Sequence, residues 1–380
     1  MSIHSSLQAL LTGEGDFVLL FDQVRSHGEA ALPALAEAAR QGRAIPQLTA
    51  LLSALQLEDP VRALQPWLDC DDPLSDERSM ALQALGARGD PRATKTLIDA
   101  LPTDVIAAAD ALGDLGAPEA IGPLLEHARG YLGDRSPLEG SQLQDDDLCR
   151  ELRIALTAIT ALAKLGSFQL AAVPIQLATL RDDEESGGAA LVRQRAVDCL
   201  RYVAAPGVAQ ALRDAAMDPD EDTARAALRG MLLVGRKAEA VAWIEEIERG
   251  GPVAENALWC LERWAGVSLP HTRDRRAQAR KARTWWHSVE GSFREDVVYH
   301  GGEPIDLAKL VRQLPDDPYD LRLDLKVRTG APPILESLMG EPVPRSERAG
   351  VEGWWKANSE RFPLGKLHLW GRTFEPEVVG

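Results

Sequence analysis

The amino-acid sequence predicts an all-α fold, an α-solenoid of stacked antiparallel helix pairs. The main observation is a repeat, because residues 81–91 and 108–118 share the pattern A-x-x-A-L-G-x-x-G-x-P at a separation of 27 positions. A fixed period of this length is typical of stacked helical repeats. Composition agrees with this fold class, since 45% of the 380 residues are hydrophobic whereas only 5% are aromatic.

Within each repeat the pattern predicts two short helices joined by a tight turn. Apolar residues recur at spacings of three and four in the first helix. We expect Gly86, and Gly113 in the second copy, to adopt positive φ and cap that helix. Asp90 is expected to cap the start of the following helix, with Pro91 in its first turn. The second helix then carries four apolar side chains inward: Ala93, Leu97, Ile98 and Leu101.

On these two motifs the chain resembles the short HEAT-like repeats of the phycobilisome-lyase type, loosely over residues 45–265. The resemblance implies a HEAT-like solenoid. It leaves the activity open, because this repeat class includes lyases, hydroxylases, adaptors and scaffolds. We therefore expect an N-terminal cap with degenerate helical repeats in residues 1–68, a HEAT-like solenoid in 69–268, and a C-terminal capping module in 269–380.

The C-terminal module contains a second duplication, W-W-x6-F-x8-G, at residues 285–302 and 354–371. Paired tryptophans beside basic residues could form a shelf that binds a peptide or a cation. The alternative, which we favour, is that each copy is a helix end packed over the last hydrophobic edge of the solenoid. Similar Trp-Trp tails occur on bacterial HEAT-repeat proteins, some of them encoded beside contractile secretion systems. That resemblance implies a bacterial protein with a secretion-system component as one candidate partner.

Charge is unevenly distributed along the chain. The net formal charge is −16, and residues 1–268 contain 41 acidic and 24 basic residues, whereas residues 269–380 contain 17 and 18. An acidic surface repels phosphate backbones, so we expect no nucleic-acid partner and instead a protein partner of basic character. No apolar run reaches the roughly 18 residues that a membrane span needs, and no signal peptide is evident, so a cytoplasmic protein without a membrane partner is expected.

Motifs that carry chemistry are not recognisable in the sequence. The seven histidines are scattered, the four cysteines are unpaired in sequence, and no phosphate-binding loop or nucleophile elbow occurs. We therefore expect no metal and no cofactor, and a non-catalytic protein-interaction scaffold or adaptor. The alternative is a lyase-like enzyme, or enzyme subunit, that holds a small molecule or chromophore in the solenoid groove. A deep apolar pocket with converging polar groups would favour the enzyme, and a shallow charged groove the scaffold.

The candidate partner-binding residues are of three kinds. The second helices of the repeats form a wall with five charged side chains: Arg92, Lys95, Asp99, Glu119 and Glu126. A later acidic loop contributes Asp182, Asp183, Glu184 and Glu185. The last candidate is Trp259, which lies off the inward face of its helix.

Overall fold

The computed structural model is mostly helical, with 71% of residues in helices. It describes residues 2–42, 45–70, 75–133, 145–180, 187–250, 253–269, 272, 274–316, 318–332, 334–335, 338 and 341–379. Over these ranges the chain forms twenty α-helices and two short β-hairpins. None of the described helices combines the length and the apolar character that crossing a bilayer requires.

The helices follow one another with short connections. The first ten are α1 (Ile3–Thr12), α2 (Phe17–Ser26), α3 (Leu32–Arg40), α4 (Ile45–Ala54), α5 (Pro60–Leu68), α6 (Asp76–Ala87), α7 (Thr94–Ala100), α8 (Val105–Leu115), α9 (Ile121–Leu132) and α10 (Asp146–Lys164). The remaining ten are α11 (Ala172–Thr179), α12 (Gly187–Leu200), α13 (Val208–Ala215), α14 (Glu221–Val234), α15 (Lys237–Arg249), α16 (Ala254–Ala265), α17 (Arg275–Val289), α18 (Leu307–Gln313), α19 (Pro318–Thr329) and α20 (Arg345–Asn358).

The chain divides into two compact units, each assembled from three stretches of sequence. The first unit contains Met1–His127, Lys164–Gly166 and Ala308–Ser359, and the second contains Ala128–Ala163, Ser167–Leu307 and Glu360–Gly380. Residues from the C-terminal part of the sequence therefore belong to both units. The expected C-terminal module, residues 269–380, is thus divided between the two units.

In the first unit the two predicted repeats have the same order of elements. Helix α6 is followed by a 3-10 turn at Pro91–Ala93 and by α7, and α8 is followed by a 3-10 turn at Pro118–Ala120 and by α9. Helix α6 packs against both α4 and α8. The predicted cap at Asp90 is confirmed, because its carboxylate accepts a hydrogen bond of 3.0 Å from the backbone N–H of Arg92.

The predicted glycine caps are wrong. Gly86 and Gly113 lie inside α6 and α8 with helical backbone angles, and the positive φ occurs three residues later, at Gly89 (67°) and Gly116 (74°). Gly86 has a packing role instead. A Cβ at this position would lie 2.5 Å from the Cα and carbonyl oxygen of Ala111, so only glycine allows α6 and α8 to approach this closely.

The C-terminal helices of the first unit are joined by one buried arginine. The guanidinium of Arg322 on α19 donates to the carboxylate of Glu347 on α20, with an Nη2–Oε2 distance of 2.9 Å, and to the carbonyl oxygen of Glu341 at 2.7 Å. Helix α20 also contacts α2, where the Asp22 carboxylate accepts a hydrogen bond of 3.2 Å from the backbone N–H of Arg345. The first unit thus combines the N-terminal helices with α19 and α20.

In the second unit α12, α14 and α16 pack in succession, and α15 contacts both α16 and α17. The hairpins follow α17 and α20 along the sequence. The first consists of β1 (Tyr299–His300) and β2 (Glu303–Pro304), and the second of β3 (Leu367–Leu369) and β4 (Arg372–Phe374). In each hairpin the two turn residues have positive φ, as a two-residue turn of this kind requires. These residues are Gly301 (63°) and Gly302 (76°), and Trp370 (48°) and Gly371 (75°).

The two copies of the tryptophan motif therefore form the same local structure: a helix, a 3-10 turn and a hairpin. The first hairpin docks on the C-terminal ends of α14 and α16. The backbone N–H groups of Gly301 and Gly302 donate to the carbonyl oxygens of Arg263 and Trp264, at 2.9 and 2.7 Å. The second lies near the ends of α10 and α12, where Trp370 packs edge-to-face on Tyr202 and Phe374 contacts Phe168.

Several further elements can be compared with the sequence expectations. Helix α1 lies in the region 1–68, for which an N-terminal cap with helical repeats was predicted. Between the tryptophan motifs the sequence predicts three short helices, at residues 305–314, 318–328 and 332–339, and the first two correspond to α18 and α19. The third, expected at residues 332–339, lies partly outside the described residues. Asp220 caps α14 by accepting a hydrogen bond of 2.8 Å from the Thr223 N–H, whereas Asp218 forms a buried ion pair with Arg193 at 2.9 Å.

Candidate functional site

The two repeats of the first unit enclose a groove of about 550 Å³. One wall is the 3-10 turn after α6 together with the start of α7, and the other is the end of α8 with the 3-10 turn that follows it. The two walls are equivalent parts of the two repeats, because each contains the 3-10 turn that joins the first helix of a repeat to its second helix. The lining residues are Pro91, Arg92, Thr94, Lys95, Ile98, Leu115, Gly116, Ala117, Pro118 and Glu119.

Charged side chains of both signs stand at the rim of this groove. Arg92 pairs with Asp90 at an Nη2–Oδ2 distance of 2.6 Å, and its hydrogen bond lowers the pKa of the Asp90 carboxyl while the pKa of Arg92 is raised. Lys95 is 91% exposed, and its ammonium group lies 3.9 Å from the carboxylate of Asp99. Glu119 is exposed on the facing wall. The rim can therefore meet both acidic and basic groups of a ligand.

The floor of the groove is apolar. Ile98 and Leu115 are half-buried and line it, between the exposed prolines at positions 91 and 118. From the repeat pattern, Ile98 was expected to point into the core together with Ala93, Leu97 and Leu101. Those three are buried, whereas Ile98 lies at the boundary of the buried face and contributes to the groove. An adjacent pair such as Leu97 and Ile98 cannot both face one neighbouring helix, since successive helical residues are about 100° apart.

The structure brings together three of the ten predicted binding residues. Arg92, Lys95 and Glu119 line the same groove, whereas Asp99 and Glu126 are exposed outside its lining. Asp182, Asp183, Glu184 and Glu185 lie outside the described residues.

Trp259 belongs to the second unit and takes no part in this groove. It is half-buried on α16, where the guanidinium carbon of Arg263 lies 5.5 Å from its ring centroid. The guanidinium of Arg263, on the same helix, therefore covers part of the ring.

A second cavity of the first unit, of about 360 Å³, lies beside the C-terminal end of α4 and has a structural explanation. Arg88 lines it and donates to the carbonyl oxygens of Ser53 and Leu55, at 3.0 and 2.7 Å. These carbonyl groups belong to the end of α4 and to the residue that follows it, where partners within the helix are lacking. Burial lowers the pKa of Arg88, with nearby Asp90 acting in the opposite direction. The charge of Arg88 is thus used to cap a helix.

The groove between the repeats has the dimensions of a ligand-binding site. Its volume lies within the range of about 300–1,000 Å³ that ligand sites occupy, and its rim residues are exposed. Within the described residues, His, Cys, Asp and Glu side chains do not gather in groups of three or more that could hold a metal ion. Three charged side chains at the rim and an apolar floor are thus available to one ligand.

Comparison with known proteins adds no identification. No protein-family model matches the sequence, and a search of the curated proteins returns no match.

Proposed function

We propose that this protein is a non-catalytic scaffold or adaptor that binds another protein, built as a HEAT-like solenoid of stacked antiparallel helix pairs. Support for the architecture comes from the identical order of elements in the two repeats and from the packing of α6 against both α4 and α8. In the second unit α12, α14 and α16 also pack in succession. We further propose that the C-terminal module acts as a cap, since its first hairpin covers the ends of α14 and α16.

The observation that carries the functional proposal is the groove between the repeats. It has an apolar floor at Ile98 and Leu115, and a rim that carries Arg92, Lys95 and Glu119. Peptide recognition commonly combines apolar contacts at the centre with polar contacts at the edge. Because the rim residues Arg92, Lys95 and Glu119 are exposed, the groove is accessible to a segment of another chain.

Overall charge indicates the character of the partner. With a net charge of −16, and 41 acidic against 24 basic residues in positions 1–268, the protein attracts a partner of basic character. Such attraction raises the association rate and weakens as salt screens it. A basic segment would place one cationic side chain at Glu119. The acidic residues at 182–185 remain a second proposed contact for the same partner, and a secretion-system component remains one candidate for it.

The experiment is capture of partners from native extract by immobilised protein, with one charge reversed at a time. Glu119→Lys should reduce the bound partner about tenfold, since it replaces an attraction by a repulsion at the groove. Glu126→Lys is the matched control, because it changes the net charge equally on the exposed side of α9 but outside the groove lining. Equal capture by both variants would contradict the assignment of this groove.

A further inference from the structure

A groove of about 770 Å³ in the second unit lies along one face of α17. Its helical wall is formed by Ala277, Arg280, Lys281, Thr284, Trp285 and Ser288, which follow the spacing of three and four residues that defines one face of a helix. Its other wall is the segment after α16, with Val267 and Leu269. From residue 277 to 288 the helix rises about 16 Å, enough for three turns of a bound helix or about five extended residues.

The tryptophan pair of the first motif divides between the core and this groove. Trp286 is 5% exposed and stacks on Phe293 at a centroid distance of 5.9 Å, beside the fully buried Trp264. Trp285 is half-buried and lines the groove, 6.2 Å from the ring of Trp286. Because Trp286 supplies the packing, the apolar ring of Trp285 remains available to a ligand.

The two cations of the groove have little intramolecular compensation. Arg283, on another face of α17, is fully engaged by Glu248 through two hydrogen bonds of 2.7 and 2.6 Å. In contrast, Arg280 lies 3.9 Å from Asp274, and Lys281 forms no ion pair with another described residue. Positive charge collected beside apolar surface is unusual in a chain of net charge −16, and it complements an acidic ligand.

From these observations we propose that the α17 groove binds a short acidic segment of a partner protein. Its carboxylates pair with Arg280 and Lys281, and one large apolar side chain lies against Trp285 and Leu269. The groove between the repeats lies in the first unit and is proposed to bind a basic partner, whereas the α17 groove lies in the second unit and is proposed to bind an acidic segment. The two proposals therefore concern separate sites, and either can fail without the other.

The test uses a displayed library of random peptides of about twelve residues, which covers the length of the groove. The full-length protein is the bait, and the variant Arg280→Glu/Lys281→Glu removes peptides that bind elsewhere. The enriched sequences are expected to contain at least two Asp or Glu beside an aromatic or aliphatic residue. One of them, synthesised with a fluorescent label, is then titrated and its anisotropy measured.

Four variants of the protein are compared in this titration. Affinity should fall about tenfold or more in Arg280→Glu/Lys281→Glu and in Trp285→Ala, since they remove the charge and the apolar contact separately. The control, Arg62→Glu/Lys356→Glu, changes the net charge by the same amount at exposed positions away from the groove and should bind normally. Arg280→Gln/Lys281→Gln gives a milder loss and serves if the double charge reversal unfolds the protein.

Three outcomes would overturn the proposal. The first is enrichment of neutral or basic peptides, or of none, and the second is equal loss of binding in the control variant. The third is a dimer, seen by sedimentation, that dissociates in Arg280→Glu/Lys281→Glu, because a second copy of this chain would then be the occupant of the groove.

Discussion

Replacing Gly86 with alanine should destabilise the first unit, although alanine favours helices. The added Cβ would lie 2.5 Å from the Cα and carbonyl oxygen of Ala111, whereas ordinary contacts begin at 3.4 Å. Helices α6 and α8 must therefore separate by about 1 Å, since both obstructing atoms belong to the backbone and cannot rotate away. The separation also reaches the groove, because its walls follow directly from the ends of these two helices.

Two opposing terms determine the magnitude. Overpacking of this kind costs about 1–3 kcal/mol, and the change from glycine to alanine inside a helix contributes about 1 kcal/mol in the favourable direction. Because rigid backbone is the obstacle, the cost should lie at the upper end of its range. We therefore expect the free energy of unfolding to fall by about 1–2 kcal/mol.

The assay is urea denaturation followed by circular dichroism, combined with hydrogen exchange of the peptides that cover α6 and α8. Exchange gives a local measurement, which is needed because a protein of two units need not unfold in a single step. Gly122→Ala in α9 is the matched control, since the space around its Cβ is open and stability should be unchanged or rise by up to about 1 kcal/mol. If Gly86→Ala were as stable as the control, the close packing of α6 on α8 would be refuted.

Three further changes test other parts of the structure. Asp114 accepts a hydrogen bond of 2.6 Å from Lys164; burial raises its pKa, but Lys164 and Lys326 outweigh burial and lower it. Its ionised form therefore stabilises the fold at every pH above the unfolded pKa of about 3.9. Asp114→Asn should lower the free energy of unfolding by about 1–3 kcal/mol at neutral pH. Urea titrations should show the difference in unfolding free energy between variant and wild type disappearing as the pH falls through the native pKa. Gly302→Ala would bring a Cβ within 2.4 Å of the Ala265 carbonyl oxygen at a φ of 76°, so hydrogen exchange of the first hairpin should accelerate, and unchanged protection would contradict its docking. Asp220→Ala removes the cap of α14 and should lower the thermal midpoint by an amount equivalent to about 1 kcal/mol, whereas Asp220→Asn should retain most of it.

Local signals in the sequence were sufficient for the helices and their starts. Asp90 was expected to cap the element that follows it and does so, because an N-cap depends only on the residue and its immediate neighbours. The choice between Gly86 and Gly89 was not local. Both can end a helix, and what distinguishes them is that Gly86 faces Ala111, which belongs to a different repeat. A tertiary contact therefore decided the position of the cap.

The candidate sites show the same division between local and tertiary information. Arg92, Lys95 and Glu119 were named from the repeat pattern, and the shared groove follows because their positions relative to the turns are similar. Trp285 and Trp286 could not be separated from the sequence, since two adjacent tryptophans have equal hydrophobicity. Only the position of Phe293 and Trp264 shows which ring is buried and which lines the α17 groove.

Assembly of the first unit from distant stretches of sequence has a consequence for biosynthesis. Between its Met1–His127 and Ala308–Ser359 stretches lie about 180 residues, of which only Lys164–Gly166 belong to this unit. At a translation rate of roughly 5–20 residues per second, the ribosome needs about 10–40 seconds to synthesise them. During that interval α2 has emerged but α20, which packs against it, does not yet exist. The nascent chain must therefore hold an incomplete hydrophobic surface, a state in which chaperone binding would be of most use.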